Sequence, residues 1–117
     1  DNTTPLGSFR VAEIDPGSRY NTLILLNYPT PRYARSGLAN NQINAGAHRT
    51  IVKAHSAGLL PPQNTELGGR IGIHGIGKGD LTIHEEFNWT QGCIAITNEQ
   101  LEQLLPYVRP GMSVIIR

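Results

Sequence analysis

Cys93 is the only cysteine in the chain, and it follows Gly92 in the run Thr90-Gln91-Gly92-Cys93-Ile94-Ala95-Ile96-Thr97. A lone thiol has no intrachain disulfide partner, so its uses are as a small buried hydrophobe, an intermolecular bridge or a nucleophile. Position favours the nucleophile. Gly92 permits close approach of backbone and substrate, and Cys93 stands at the mouth of a short apolar strand, Ile94 to Ile96, where a reactive atom can point outward. A thiol with an ordinary pKa near ~8.5 is mostly protonated at neutral pH, so it needs a base or a cationic neighbour. His74, closing the strand-like run Ile71-Gly72-Ile73, is the obvious supplier. If the two strands pair in one sheet, imidazole and sulfur meet at its edge, and the backbone N–H groups of Gly92 and Cys93 can face a developing oxyanion. The chemistry is acyl transfer by a Cys-His pair.

Other polar residues have weaker claims. His84 is a second candidate base, but it lies beside Glu85-Glu86 in a polar stretch and reads better as an exposed loop histidine. Gly75, Gly77 and Gly79 alternate with Ile76, Lys78 and Asp80. No Gly-Lys-Ser/Thr ending follows them, so a wall of the cleft is expected rather than a phosphate cradle. Lys78 there could meet a substrate carboxylate, although an exposed lysine is more often simply solvated. His48 and His55 are seven residues apart on one predicted helix face, with no carboxylate or thiolate at ligand spacing; a solvated or core-edge role is expected rather than a metal site.

At these residues the sequence resembles the L,D-transpeptidase catalytic domain family. That family carries a His, a spacer, then Ser/Thr-x-Gly-Cys and a hydrophobic residue, and His74 with Thr90-Gln91-Gly92-Cys93-Ile94 matches it. Ile73-His74-Gly75 fits its His-Gly element, and Thr4-Pro5-Leu6-Gly7-Ser8-Phe9 is similar to its Thr-Pro-x-Gly-x-Phe turn. Trp89 and Asn98 complete a Trp-Thr-x-Gly-Cys-Ile-Ala-x-x-Asn form seen in a Gram-negative periplasmic branch. Ser18-Arg19-Tyr20 and Tyr28-Pro29 are similar to that branch as well. The chain departs from many members in having Gln91 where they have His, and Ala95 where they have Arg or Asn.

The resemblance implies a β-sandwich-like fold with Cys93 and His74 at the end of the sheet, in one domain over residues 1–117; family domains usually carry one or two strands before the Thr-Pro turn, and here either the sequence is trimmed or the chain is a short variant. It implies a periplasmic or cell-wall enzyme acting on peptidoglycan stem peptides, with no metal and no organic cofactor. Cys93 would attack the carbonyl of an L-centre preceding a D-residue. His74 would take the thiol proton and later return it to the leaving amine. An amine of another stem, or a lysine of a wall-anchored lipoprotein, would complete transpeptidation, whereas water would give hydrolysis. Gly75, Thr90, Gln91 and Trp89 are expected to line the substrate or hold the nucleophile, although packing of the loop is the better reading of Trp89. A non-catalytic wall-binding module is the competing class, but it would be expected to have lost the Cys or the His. Papain-like enzymes place Cys before His. Caspase-like enzymes need a Gln-Ala-Cys signature and a longer separation, so Gln91-Gly92-Cys93 is only an echo.

The elements that must hold this pair follow from patterning. Residues 9–14 alternate apolar and polar with period two, a half-buried strand that Asp15-Pro16-Gly17-Ser18 is expected to break. Residues 22–28 form a continuous apolar run, read as a strand buried on both faces at the centre of the core. Residues 32–44 are polar, with weak helical tendency at most. A short helix is expected at residues 47–57, a possible cap over the cleft. Thr97 and Gln100 have capping-box spacing ahead of Leu101, Leu104, Leu105 and Val108, so a helix begins there, with Thr97 and Asn98 in structural roles. A β-branched strand over residues 112–117 ends the chain.

Five strand runs and one or two short helices make a mainly β domain. With 117 residues there is room for a single core. A formal charge of +1 gives no bulk attraction to nucleic acid. The apolar runs are too short to span a bilayer.

Overall fold

The computed structural model describes residues 4–18, 21–75 and 93–117. Five strands, β1 (Gly7–Ser18), β2 (Asn21–Leu26), β3 (Gly72–Gly75), β4 (Ile94–Ile96) and β5 (Ser113–Ile116), form one mixed sheet in the order β4-β3-β2-β1-β5. All pairings are antiparallel except β3 with β4, which is parallel. The described residues also form three α-helices, α1 (Pro31–Ala39), α2 (Ala45–Ser56) and α3 (Asn98–Leu104), in a mainly β fold, and a 3-10 turn at Leu105–Tyr107 follows α3. The chain divides into two compact units: Asn27–Arg70, inserted between β2 and β3, and the sheet unit formed by Asn2–Leu26 with Ile71–Arg117.

In the sheet unit, β2 is the third of five strands, and residues 22–26 are all buried. That is why its sequence is a continuous apolar run: a central strand has neither an edge nor a solvated face to supply polar positions. β1 shows the expected alternation at its start, with Phe9 and Val11 buried and Arg10 exposed; the β1–β2 ladder then shifts register between Val11 and Glu13, and Glu13, in phase with Val11, is exposed. It does not stop at Asp15, however. It runs to Ser18, and the β1–β2 ladder is irregular between Asp15 and Ser18. Pro16 lacks the N–H a regular ladder requires, and a bulge is where a strand tolerates it.

The expected helix after Thr97 is present with both halves of its capping box. The Thr97 hydroxyl accepts from Gln100 N–H at 3.1 Å, and the Gln100 side chain accepts from Thr97 N–H at 3.0 Å. It is shorter than its leucine periodicity suggests: only Leu101 is fully buried, and Pro106 lies in the 3-10 turn that follows. A proline cannot donate the backbone bond that would continue an α-helix.

In the inserted unit, residues 32–44 are not merely polar surface. Pro31 occupies the first turn of α1, the Thr30 hydroxyl accepts from Tyr33 N–H at 3.5 Å, and Ala34 and Gly37 are buried. Among the described residues there are thus three short α-helices, where the patterning alone gave one or two. A proline that halts a strand is equally suited to the first position of a helix, where its missing N–H has no role. α2 begins two residues before the predicted helix because Asn44 caps it, its side chain accepting from Ala47 N–H at 2.8 Å. Ala34, Ile43 and Ile51 form the core of this unit, with Leu38, Ala47 and Leu67 packed on them. Gln63 ties its base together: its amide donates to Tyr28 O at 2.7 Å and Pro61 O at 3.0 Å, and its carbonyl accepts from Arg70 N–H at 2.7 Å.

Candidate active site

His74 is the third residue of β3 and is 1% exposed. A histidine buried this fully needs its ring nitrogens satisfied. Its Nδ1 lies 2.8 Å from the carbonyl oxygen of Gly75. A carbonyl only accepts, so Nδ1 is the protonated nitrogen and donates. In the neutral ring the lone pair then belongs to Nε2. This is the tautomer a general base requires.

The strand beside β3 is β4, with Ile73 opposite Ile94, His74 opposite Ala95 and Gly75 opposite Ile96. Cys93 immediately precedes β4 and is half-buried. Residues paired across a ladder share a face, and faces alternate along a strand. Carrying that alternation back through Ile94 gives Cys93 the parity of Ala95, and hence of His74. Diagonal neighbours on one face of a sheet have Cα atoms about 7–8 Å apart, within reach of an imidazole. A parallel pair also needs a crossover of about a dozen residues or more, and residues 76–92 have that length.

Gly75 ends β3, and a side chain has no room there. A Cβ would strike the carboxamide oxygen of Asn98 and lie 3.2 Å from Leu101. The first turn of α3 thus closes over the peptide whose carbonyl holds the histidine. At Gly72 a Cβ would strike the carbonyl oxygen of Ile24 on β2. Both glycines let β3 sit tightly among its neighbours. From the sequence, Asn98 is readable as helix-start chemistry and as the last residue of the family-like form, but not as a neighbour of Gly75. Its contact with Gly75 joins residues twenty-three apart, and no local pattern encodes it.

Of the other predicted site residues, Trp89, Thr90, Gln91 and Gly92 lie outside the described residues, as do Lys78 and His84. His55 is engaged in the inserted unit, its Nε2 being 2.8 Å from Pro29 O. Among the described residues no cluster of three or more His, Cys, Asp or Glu is placed to hold a metal ion. No helix among them is long and apolar enough to cross a membrane.

No curated protein matches the chain significantly, and no solved structure does. The model of the YkuD family, described as the L,D-transpeptidase catalytic domain, matches residues 1–116, a span that includes every strand of the sheet together with His74 and Cys93. The chain therefore belongs to the YkuD family of L,D-transpeptidase catalytic domains.

Proposed function

We propose that this chain is a peptidoglycan L,D-transpeptidase in which Cys93 is the nucleophile and His74 the base. The observation that carries the reading is the His74 Nδ1 to Gly75 carbonyl contact on a strand laid parallel to the one that Cys93 precedes. Nε2 takes the thiol proton as Sγ attacks the carbonyl carbon of an L-centre, the L-centre of diaminopimelate, that precedes a D-residue. The backbone N–H groups of Gly92 and Cys93 receive the negative charge that develops on the oxygen. Collapse of the tetrahedral intermediate breaks the C–N bond, the departing amine of the D-residue carries away the proton from Nε2, and a thioester remains on Cys93. The amine of a second stem peptide then loses a proton to His74, attacks the thioester and regenerates the thiol. Thr90 and Gln91 line the substrate or hold the nucleophile, Trp89 packs the loop, Gly75 holds the imidazole through its carbonyl, and the reaction takes place in the periplasm or cell wall.

Incubation with purified muropeptides tests this. A 3-3 crosslinked dimer, with a mass adduct on Cys93 that is absent from Cys93→Ala, supports transfer. Trimmed or released products alone would assign the chain to hydrolysis, the outcome that the Trp89-Thr90-Gln91-Gly92-Cys93 form keeps open. No product and no adduct would overturn the nucleophile assignment.

A further inference from the structure

The formal charge of +1 conceals an uneven distribution. Between Asn27 and Arg70 the chain carries five cations, Arg32, Arg35, Arg49, Lys53 and Arg70, against the single carboxylate of Glu66. The inserted unit is therefore +4, and the rest of the chain sums to −3. Arg32 and Arg35 are three residues apart on α1, Arg49 and Lys53 four apart on α2, and all four are exposed. Their positions are turned away from the buried Ala34 and Gly37 of α1 and the buried Ile51 of α2.

Helix stability does not account for them. Like charges at these spacings repel along a helix surface. Arg32 is in the first turn of α1, where the helix dipole is already positive, and neither helix has an acidic residue in its first turn to compensate. Lys53 alone is well placed for the dipole, in the last turn of α2. No ion pair among the described residues neutralises these four groups. Cations kept where they weaken the helices that carry them fit an external anion.

We propose that the Asn27–Arg70 unit is an electrostatic docking element for the carboxylates of peptidoglycan stem peptides, with Arg32, Arg35, Arg49 and Lys53 as its contacts. The choice of partner rests on the peptidoglycan reading above. Stem peptides repeat along the wall polymer and carry free carboxylates, so a cationic unit tethered to the catalytic sheet raises the local concentration of enzyme at its substrate by long-range attraction. The interaction is exposed and screened over a Debye length of about 10 Å at 0.1 M salt.

Co-sedimentation with purified sacculi measures this without turnover, using Cys93→Ala as the parent. The expected result is binding that weakens as salt is raised. It should fall about tenfold when Arg32, Arg35, Arg49 and Lys53 are all replaced by Gln, as four weak exposed contacts together would give. Neutralising Arg109 and Arg117 in the sheet unit should leave it within about twofold. Sacculi whose carboxylates are amidated should not retain the unmodified parent, an arm that does not depend on any variant folding. Equal binding to native and amidated sacculi overturns the proposal. So does tighter binding to phosphatidylglycerol vesicles or to duplex DNA than to sacculi at the same salt. A chain that forms no acyl-enzyme but still pellets with native sacculi alone would leave the docking element standing and remove only the catalytic assignment.

Discussion

The Nδ1 of His74 and the carbonyl oxygen of Gly75 are 2.8 Å apart, so the next peptide of its own strand orients the imidazole. A backbone acceptor cannot be lost to mutation of its own side chain and cannot be protonated at ordinary pH. It can only be displaced by moving the strand.

With Nε2 as the proton acceptor, His74→Gln should abolish activation of the thiol while leaving Cys93 in place. General-base catalysis contributes roughly 100- to 10,000-fold, so acylation by a stem peptide should slow by that order. The check is the rate of the Cys93 mass shift, with iodoacetamide labelling at neutral pH as a substrate-independent readout. A His74→Gln variant labelled as quickly as the parent contradicts the base assignment.

Gly75→Ala should be costly although it adds a single methyl group. The new Cβ would meet the Asn98 carboxamide and Leu101, and overpacking of this kind costs about 1–3 kcal/mol. Pairing it with Asn98→Ala removes the nearest obstacle, so the double variant should recover part of the loss in thermal denaturation. Strict additivity of the two changes would mean that the contact is not the cause.

Removing the Thr97 hydroxyl withdraws the acceptor for Gln100 N–H and should cost about 1 kcal/mol of stability. Thr97→Ser keeps the oxygen and should preserve most of it. The comparison is read in denaturant midpoints at constant slope.

The inserted unit should show an alkaline limit set by Tyr28. Its hydroxyl donates to Leu67 O at 2.6 Å, its ring packs edge-on to Tyr33 at 5.2 Å, and burial, followed by the neighbouring Tyr33, raises its pKa above the usual 10.0. A folded-state pKa above the unfolded one means a stabilisation fully present below pH ~10 and lost as pH climbs through the folded value. Tyr28→Phe should leave Leu67 O without this donor, lower stability at neutral pH by about 1–3 kcal/mol, and flatten the fall at alkaline pH. An unchanged alkaline slope in the variant would assign that slope to another group.

Much of the local structure is legible in the chain. Thr97 and Gln100 announce α3 because a capping box joins residues three apart. The apolar run around Ile24 announces a central strand because burial on both faces leaves no place for polar residues. The errors lie where one residue serves two opposite rules. Pro16 reads as a strand breaker until a bulge accommodates it, and Pro31 reads as a strand terminator until Thr30 turns it into a helix start.

By itself the sequence determined the chemistry available, one thiol and a histidine set at the ends of short apolar segments, because residue identity and near-neighbour patterning are local properties. The tertiary structure decided that β3 and β4 run parallel with His74 opposite Ala95, that the carbonyl holding the imidazole belongs to Gly75, and that Asn98 leaves no space for a side chain there. Strand register is a choice among pairings of distant segments, and a slip of one residue would turn every side chain of a strand to the opposite face. Only the packing of the whole sheet selects among those alternatives.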